Sequence, residues 1–230
     1  MRDRPSPTTR GAQPTAVSLD IVVCAPHGRS LSVLLVRAAA GARELWMLPW
    51  AWSVPGDAPD DHAMRVASEA LGAKPAWMTQ VGAIGNSRRH PGTAALSIGY
   101  VAVTAVRAKA PPGNSQWFPI AGLPALAPRH AALVTSAQLA LRERLDTAPV
   151  AFRLLPATFT LTDLQEVYEL LLGRRVHKAS FRRSLQAAWL VEPTDEWRSE
   201  GRGRPAQLFR YAPRKRRGGR RGVRFELLGG

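Results

Sequence analysis

A chain of 230 residues with 45% hydrophobic content can bury a genuine core, and two modest domains suit that length better than one. The single cysteine, Cys24, excludes an intramolecular disulfide and a multi-cysteine zinc site, and no run of about 18 apolar residues exists to span a membrane. A formal charge of +15, from 32 basic and 17 acidic side chains, instead favours a polyanionic partner.

The start, MRDRPSPTTR, leads into polar residues and lacks a signal-peptide core, which predicts a disordered N-terminus over residues 1–15 of a soluble, cytoplasmic protein. VSLDIVVCA and SLSVLLVRA, separated by PHGR, are β-rich runs around a turn and read as a hairpin, with Cys24 buried in its first strand. Residues 45–52 add a mostly apolar stretch that Val54, Pro55 and Gly56 punctuate. DDHAMRVASEALG is helical, with Asp60 or Asp61 as its cap and Gly72 as its stop. VGAIGNSRRHPG leads into ALSIGYVAVTAV, which alternates as a strand does, and QWFPI is a short strand. Residues 129–145 form a helix with Leu133, Ala137, Ala140, Leu141 and Leu145 on one stripe. Interleaved strands and helices make residues 16–147 an α/β or α+β domain.

The chain then changes character. In AFRLLPATFTLTDLQEVYELLLG, Thr162 and Gln165 fit a capping box, and Leu164, Val167, Tyr168, Leu171 and Leu172 keep helical spacing up to Gly173. In HKASFRRSLQAAWLVEP, Phe181, Leu185, Ala188 and Trp189 make an apolar face, while Lys178, Arg182, Arg183 and Gln186 lie largely off it. LVEPTDEW and AQLFRYA are short strands around the turn RSEGRGRP, so residues 148–212 have the order of a winged helix-turn-helix. A major groove is read by hydrogen-bonding and cationic groups on one helical face, and Lys178, Ser180, Arg182, Arg183 and Gln186 supply them. A solvated basic face on a core helix is the plain alternative. The wing favours DNA, because Arg202 and Arg204 sit extended between glycines and a proline, where they can enter a minor groove or clasp phosphates. The run RKRRGGRRGVR makes residues 213–230 a disordered basic tail.

These segments carry a family resemblance. LLPATFTLTDLQEVYELLLGR, HKASFRRSLQAAWLVEPT and GRGRPAQLFRY together resemble the C-terminal winged helix of the NrtR-type, Nudix-related transcriptional regulators. VSLDIVVCA, LSVLLVRA, LWMLPWAWSVPG, YVAV and WFPIAGLPALAPRHAALVTSA fall in the order of that family's Nudix-like domain. The resemblance implies a Nudix-like α/β/α sandwich followed by a winged helix-turn-helix. It further implies a homodimeric repressor of NAD-metabolism genes that senses ADP-ribose or a related nucleotide. It places Lys178, Phe181, Arg182 and Arg183 on the recognition helix and Arg202, Arg204 and Gln207 on the wing. Thr160 and Thr162 would begin the preceding helix, where a hydroxyl and free amides can meet a phosphate.

An active Nudix box needs several glutamates on one helical face to hold divalent metal. In WSVPGDAPDDHAMRVASEALG the positions of Arg65, Glu69 and Gly72 match, but Val66 and Ala70 replace glutamates and the loop before Arg65 is shortened. A lone carboxylate cannot assemble a magnesium cluster, so no catalytic residue, no metal and no cofactor are expected, and the chain is not expected to be an enzyme. Binding can outlive cleavage. Cations for phosphates and an aromatic surface for a base are offered by Arg37, Trp46, Trp52, Arg65, Arg88 and Arg89, with Glu69 beside them. Tryptophans that merely fill the core are the plain reading of the same residues. Two rivals remain: a Nudix-type hydrolase with an accessory nucleic-acid-binding domain, and an effector-free basic DNA-binding protein.

Overall fold

The computed structural model describes residues 15–28, 30–85, 88–105, 111–199 and 205–213. Its first strands, β1 (Val17–His27) and β2 (Ser30–Arg37), are buried along most of their length, as near-continuous apolar runs must be when both sheet faces are covered. They pair antiparallel from Cys24↔Val33 to His27↔Ser30, and Gly28 takes φ 58° in the turn, where a side chain would be strained. Nearer its start, β1 leaves β2. The apolar stretch over residues 45–52 therefore divides into two short strands, β3 (Trp46–Met47) on β2 and β4 (Trp50–Trp52) on β1.

Helix α1 (Pro59–Leu71) follows, then β5 (Trp77–Ile84), β6 (Leu96–Val103), β7 (Ser115–Pro119), a short 3-10 turn and α2 (Pro128–Glu143). The seven strands form one mixed sheet in which β1 and β6 run parallel, from Val17↔Leu96 to Cys24↔Val103, and the other ladders are antiparallel. Alternation along β1 decides what each face meets. Leu19, Ile21 and Val23 join Ala63, Ala67 and Leu71 of α1, whereas Val22 and Cys24 join Leu133, Ala137 and Leu141 of α2. This is the expected α/β/α sandwich.

The C-terminal unit comprises α3 (Val150–Arg153), β8 (Thr158–Phe159), α4 (Leu161–Leu172), α5 (Lys178–Ala188), β9 (Val191–Arg198) and β10 (Ala206–Tyr211). Its sheet runs β8-β10-β9, the wing order read from the sequence plus a two-residue strand too short to foresee. Leu164, Tyr168, Phe181 and Leu185 fall in the same apolar cluster as Leu133 and Leu141, so α2 is core to both units. No described helix is long and apolar enough to cross a membrane.

Four local expectations are corrected. Neither Asp60 nor Asp61 caps α1: Ala58 stands at its N-cap without a side-chain bond, Pro59 presets the first turn, and Asp60 accepts the Tyr100 hydroxyl at 2.7 Å. The capping box of α4 is Thr160 with Asp163, two residues before the expected Thr162 with Gln165, because TFTLT offers a threonine at every second position. Gln165 instead donates to Glu169 and to the Val176 carbonyl. Trp189 leaves the apolar face of α5; it is the left-handed C-cap at φ 53° and is 52% exposed. Finally, WMTQVGAI is strand β5, whose half-buried residues alternate too weakly to announce it.

Candidate functional site

Helix α5 separates its chemistry by face. Phe181 and Leu185 are buried, and Phe181 lies 5.3 Å from Tyr168 between ring centroids, which fixes the helix on α4. At four-residue spacing Lys178, Arg182 and Gln186 form one exposed stripe, with Arg183 beside it and Ser180 half-buried, its hydroxyl 3.3 Å from His177 Nδ1. Lys178, Arg182 and Arg183 form no ion pair with a described residue, so their charge is free for a ligand.

Thr160 and Thr162 differ sharply. Thr160 is 4% exposed, its hydroxyl accepts the Asp163 N–H at 3.1 Å, and its own N–H donates to Asp163 at 2.8 Å. It builds the helix start and offers no free hydroxyl outward, whereas Thr162 is exposed in the first turn. Asp163 also accepts from Arg198 Nη2 at 2.7 Å on both carboxylate oxygens, so β9 is tied to the beginning of α4. Gln207 is half-buried and donates to the Thr194 carbonyl at 3.3 Å. Arg202, Arg204 and the basic run 214–224 lie outside the described residues.

The candidate ligand residues of the sandwich fall into three groups. Arg37 and Trp46 face each other in register on the β2–β3 ladder, and Trp46 packs edge-on against Phe118 at 4.9 Å, as a core residue does. Trp52, 43% exposed, stands on β4 beside β1, edge-on to Trp50 at 5.1 Å, and the His90 ring packs against Trp50 at 4.7 Å. The loop through His90 carries exposed Arg88 and Arg89, so Trp52 and this pair share one neighbourhood. Arg89 pairs with Glu44, and on α1 exposed Arg65 pairs with Asp57 while Glu69 is exposed.

Beneath this loop lies a polar cluster that nothing local in the sequence announces. Asp20, His90 and His130 are fully buried, and both His Nε2 atoms donate to Asp20 Oδ1 at 2.8 Å. Ser18 donates to the other carboxylate oxygen at 2.6 Å and lies 2.9 Å from Ser97 Oγ. The tautomers follow from the backbone: His130 Nδ1 accepts the Leu48 N–H at 3.1 Å, and His90 Nδ1 accepts the Gly92 N–H at 3.0 Å. A metal on Nε2 would require a proton on each Nδ1, directed at those same N–H donors, so the trio does not suit an ion. Burial alone would raise the Asp20 carboxyl, but hydrogen bonds from His130 and His90 outweigh it and hold Asp20 well below the usual carboxylate range. Burial likewise depresses His130. The buried Arg129 guanidinium donates to the Arg88 carbonyl at 2.8 Å and the Ala94 carbonyl at 2.6 Å, pinning both ends of the arginine loop. The one available signal was Asp20 itself, a carboxylate inside an apolar strand.

Burial pushes the Cys24 thiol up to about 12, which makes it an inert core residue. A cavity of about 740 Å³ opens where Pro26 and Gly28 of the β1 turn approach Val167 and Leu170 of α4, and none of the candidate ligand residues lines it.

Comparison with known proteins adds four findings. The family model for the NrtR DNA-binding winged helix domain matches residues 151–211. The crystal structure of Shewanella oneidensis NrtR complexed with a 27mer DNA is 30% identical, with a TM-score of 0.76 over 86% of this chain and 94% of that one. The ADPR responsive transcriptional repressor NtrR of Acinetobacter baylyi is 29% identical over 210 residues, which cover 85% of this chain and 82% of the relative. A MutT/nudix family protein from Enterococcus faecalis, 17% identical with a TM-score of 0.70 over 87% of this chain and 89% of its own, shares the fold alone.

Proposed function

The chain belongs to the NrtR family of transcriptional regulators, and on that premise we propose that it is a sequence-specific DNA-binding repressor whose Nudix-like unit senses ADP-ribose. The observation that carries this reading is the likeness over 86% of the chain to a relative solved on DNA. The uncommitted stripe Lys178, Arg182 and Gln186 with Arg183 supports it chemically, since arginine can grip a guanine edge and glutamine an adenine edge. We assign sensing to residues 16–147 and DNA reading to 148–212. As a homodimer the protein would set two α5 helices in successive major grooves, on promoters of NAD-metabolism genes.

The effector assignment follows the Acinetobacter relative, which is named as ADPR responsive. Trp52 offers a face for the base, and Arg88 and Arg89 offer cations for the phosphates, with Arg65 and Glu69 on α1 as further candidates. Val66 and Ala70 stand where a hydrolase needs glutamates, so ADP-ribose should bind without cleavage. Steady AMP release with magnesium would restore the hydrolase rival.

Fluorescence anisotropy against promoter DNA tests the reading half. The log–log salt slope should contain about 0.9 per phosphate neutralised. Replacing Arg182 and Arg183 by alanine should erase preference for the operator over random DNA, at about 1 to 3 kcal/mol for each base edge no longer gripped. Affinity indifferent to salt would sink the proposal, and a double variant with full operator preference would sink the assignment of α5. Calorimetry with ADP-ribose tests the sensing half, which an absence of heat would remove.

A further inference from the structure

The two sites lie on different units, and one helix touches the supports of both. In its first turn, α2 holds the arginine loop: Arg129 clasps the Arg88 and Ala94 carbonyls, its N–H donates to the Arg89 carbonyl at 3.1 Å, and His130 shares Asp20 with His90. In its last turn, Arg142 Nε donates to the Leu171 carbonyl at 2.9 Å. That carbonyl belongs to the final turn of α4, where the helix leaves its own acceptors unsatisfied. The Arg142 guanidinium also lies over Gly173, since a Cβ there would meet Nη2 at 2.9 Å. Gly173 is the left-handed C-cap of α4 at φ 69°, and the chain leaving it sets the direction of α5.

Between these ends, Leu133, Ala137 and Leu141 are buried, which leaves α2 little freedom to bend. Thirteen helical steps place Arg129 and Arg142 about 20 Å apart along the axis. A displacement of the loop is therefore delivered to the α4–α5 turn as a displacement of one rod. Resting on the function proposed above, we propose that α2 couples the effector loop to the DNA-reading helix, with Arg142 as the positioning residue at its far end.

The test compares operator affinity with and without ADP-ribose for the full chain and for Arg142→Ala and Arg142→Lys. The readout is the ratio of the two affinities, because a general weakening of the fold lowers both and leaves their ratio alone. The parent ratio is expected in the range of about 5- to 150-fold typical of coupled sites. Arg142→Ala should bring it below twofold while ADP-ribose still binds by calorimetry, and Arg142→Lys should recover part of it. A parent-like ratio in Arg142→Ala overturns the coupling.

A second arm needs no effector and so separates this inference from the functional one. Arg129→Lys, or Gly92→Ala whose Cβ would meet the Trp50 ring at 2.3 Å, disturbs the loop. Amide exchange at residues 173–177 should then rise, and should not rise further in an Arg142→Ala background. Unchanged exchange at 173–177 overturns the coupling whether or not ADP-ribose binds. A coupled exchange response in a protein that ignores ADP-ribose sustains α2 and discards only the effector.

Discussion

Asp20 concentrates the most consequential electrostatics of the chain on one carboxylate, which accepts from two histidines and a serine at full burial. Replacing it with asparagine leaves two imidazole N–H groups facing a weaker acceptor and removes the counter-charge of buried Arg129, at a cost of about 3 kcal/mol. That should lower Tm by roughly 10 °C in a thermal melt. The pH dependence has a definite sign. His130 is depressed, so the unfolded chain takes up its proton first, near its ordinary value of 6.5; the contribution is complete above that value and lost as pH falls below it. Asp20, also depressed, contributes above its ordinary 3.8 and loses that contribution in stronger acid. Both trends raise stability from acid to neutral pH, by at most about 1.4 kcal/mol per pH unit for His130. Tm should therefore fall between pH 7 and 5, and His130→Gln should flatten the curve; a flat curve for the parent would refute the role given to His130. The sequence alone does not reveal this cluster, because His90 and His130 stand 70 and 110 residues from Asp20 and nothing local announces their meeting. The face of α5 was legible, because its division into Phe181 and Leu185 against Lys178, Arg182 and Gln186 is written within three turns.

Among elements, the long helices are legible in the sequence and the half-buried strands are not. α2 and α4 bury one stripe each, so a period near four residues survives in the sequence. β5 has residues of intermediate burial on both faces and loses its alternation, and β8 is two residues long. Helix ends depend on which side chain reaches the backbone, and TFTLTD offers competing choices that spacing alone cannot rank. The two threonines now part in their expected effects. Thr160→Ala should cost about 1 to 2 kcal/mol by chemical denaturation, since it removes a cap. Thr162→Ala should leave the denaturation midpoint unchanged and act, if at all, on DNA affinity; equal midpoints for both variants would contradict the observed cap.

At the scale of the whole molecule, the apolar cluster runs from Val22 and Val101 through Leu133 and Leu141 to Leu164, Phe181 and Leu190 without a break. Two units with one core should unfold together. Calorimetry is expected to show a single transition whose van't Hoff and calorimetric enthalpies agree, and two resolved transitions would mean that the shared cluster does not bind the units.

The shared cluster also bears on how such a protein can diversify. A C-terminal unit cut from residues 16–147 would bare Val167, Leu171 and their neighbours, so it would not make a self-contained cassette. If α5 reads the operator as proposed, new operators would be acquired in place, by exchanging exposed residues such as Arg182, Arg183 and Gln186 that lie outside the common core. On the function proposed above, sensor and reader would be inherited as a pair, and a change of promoter would come one exposed side chain at a time.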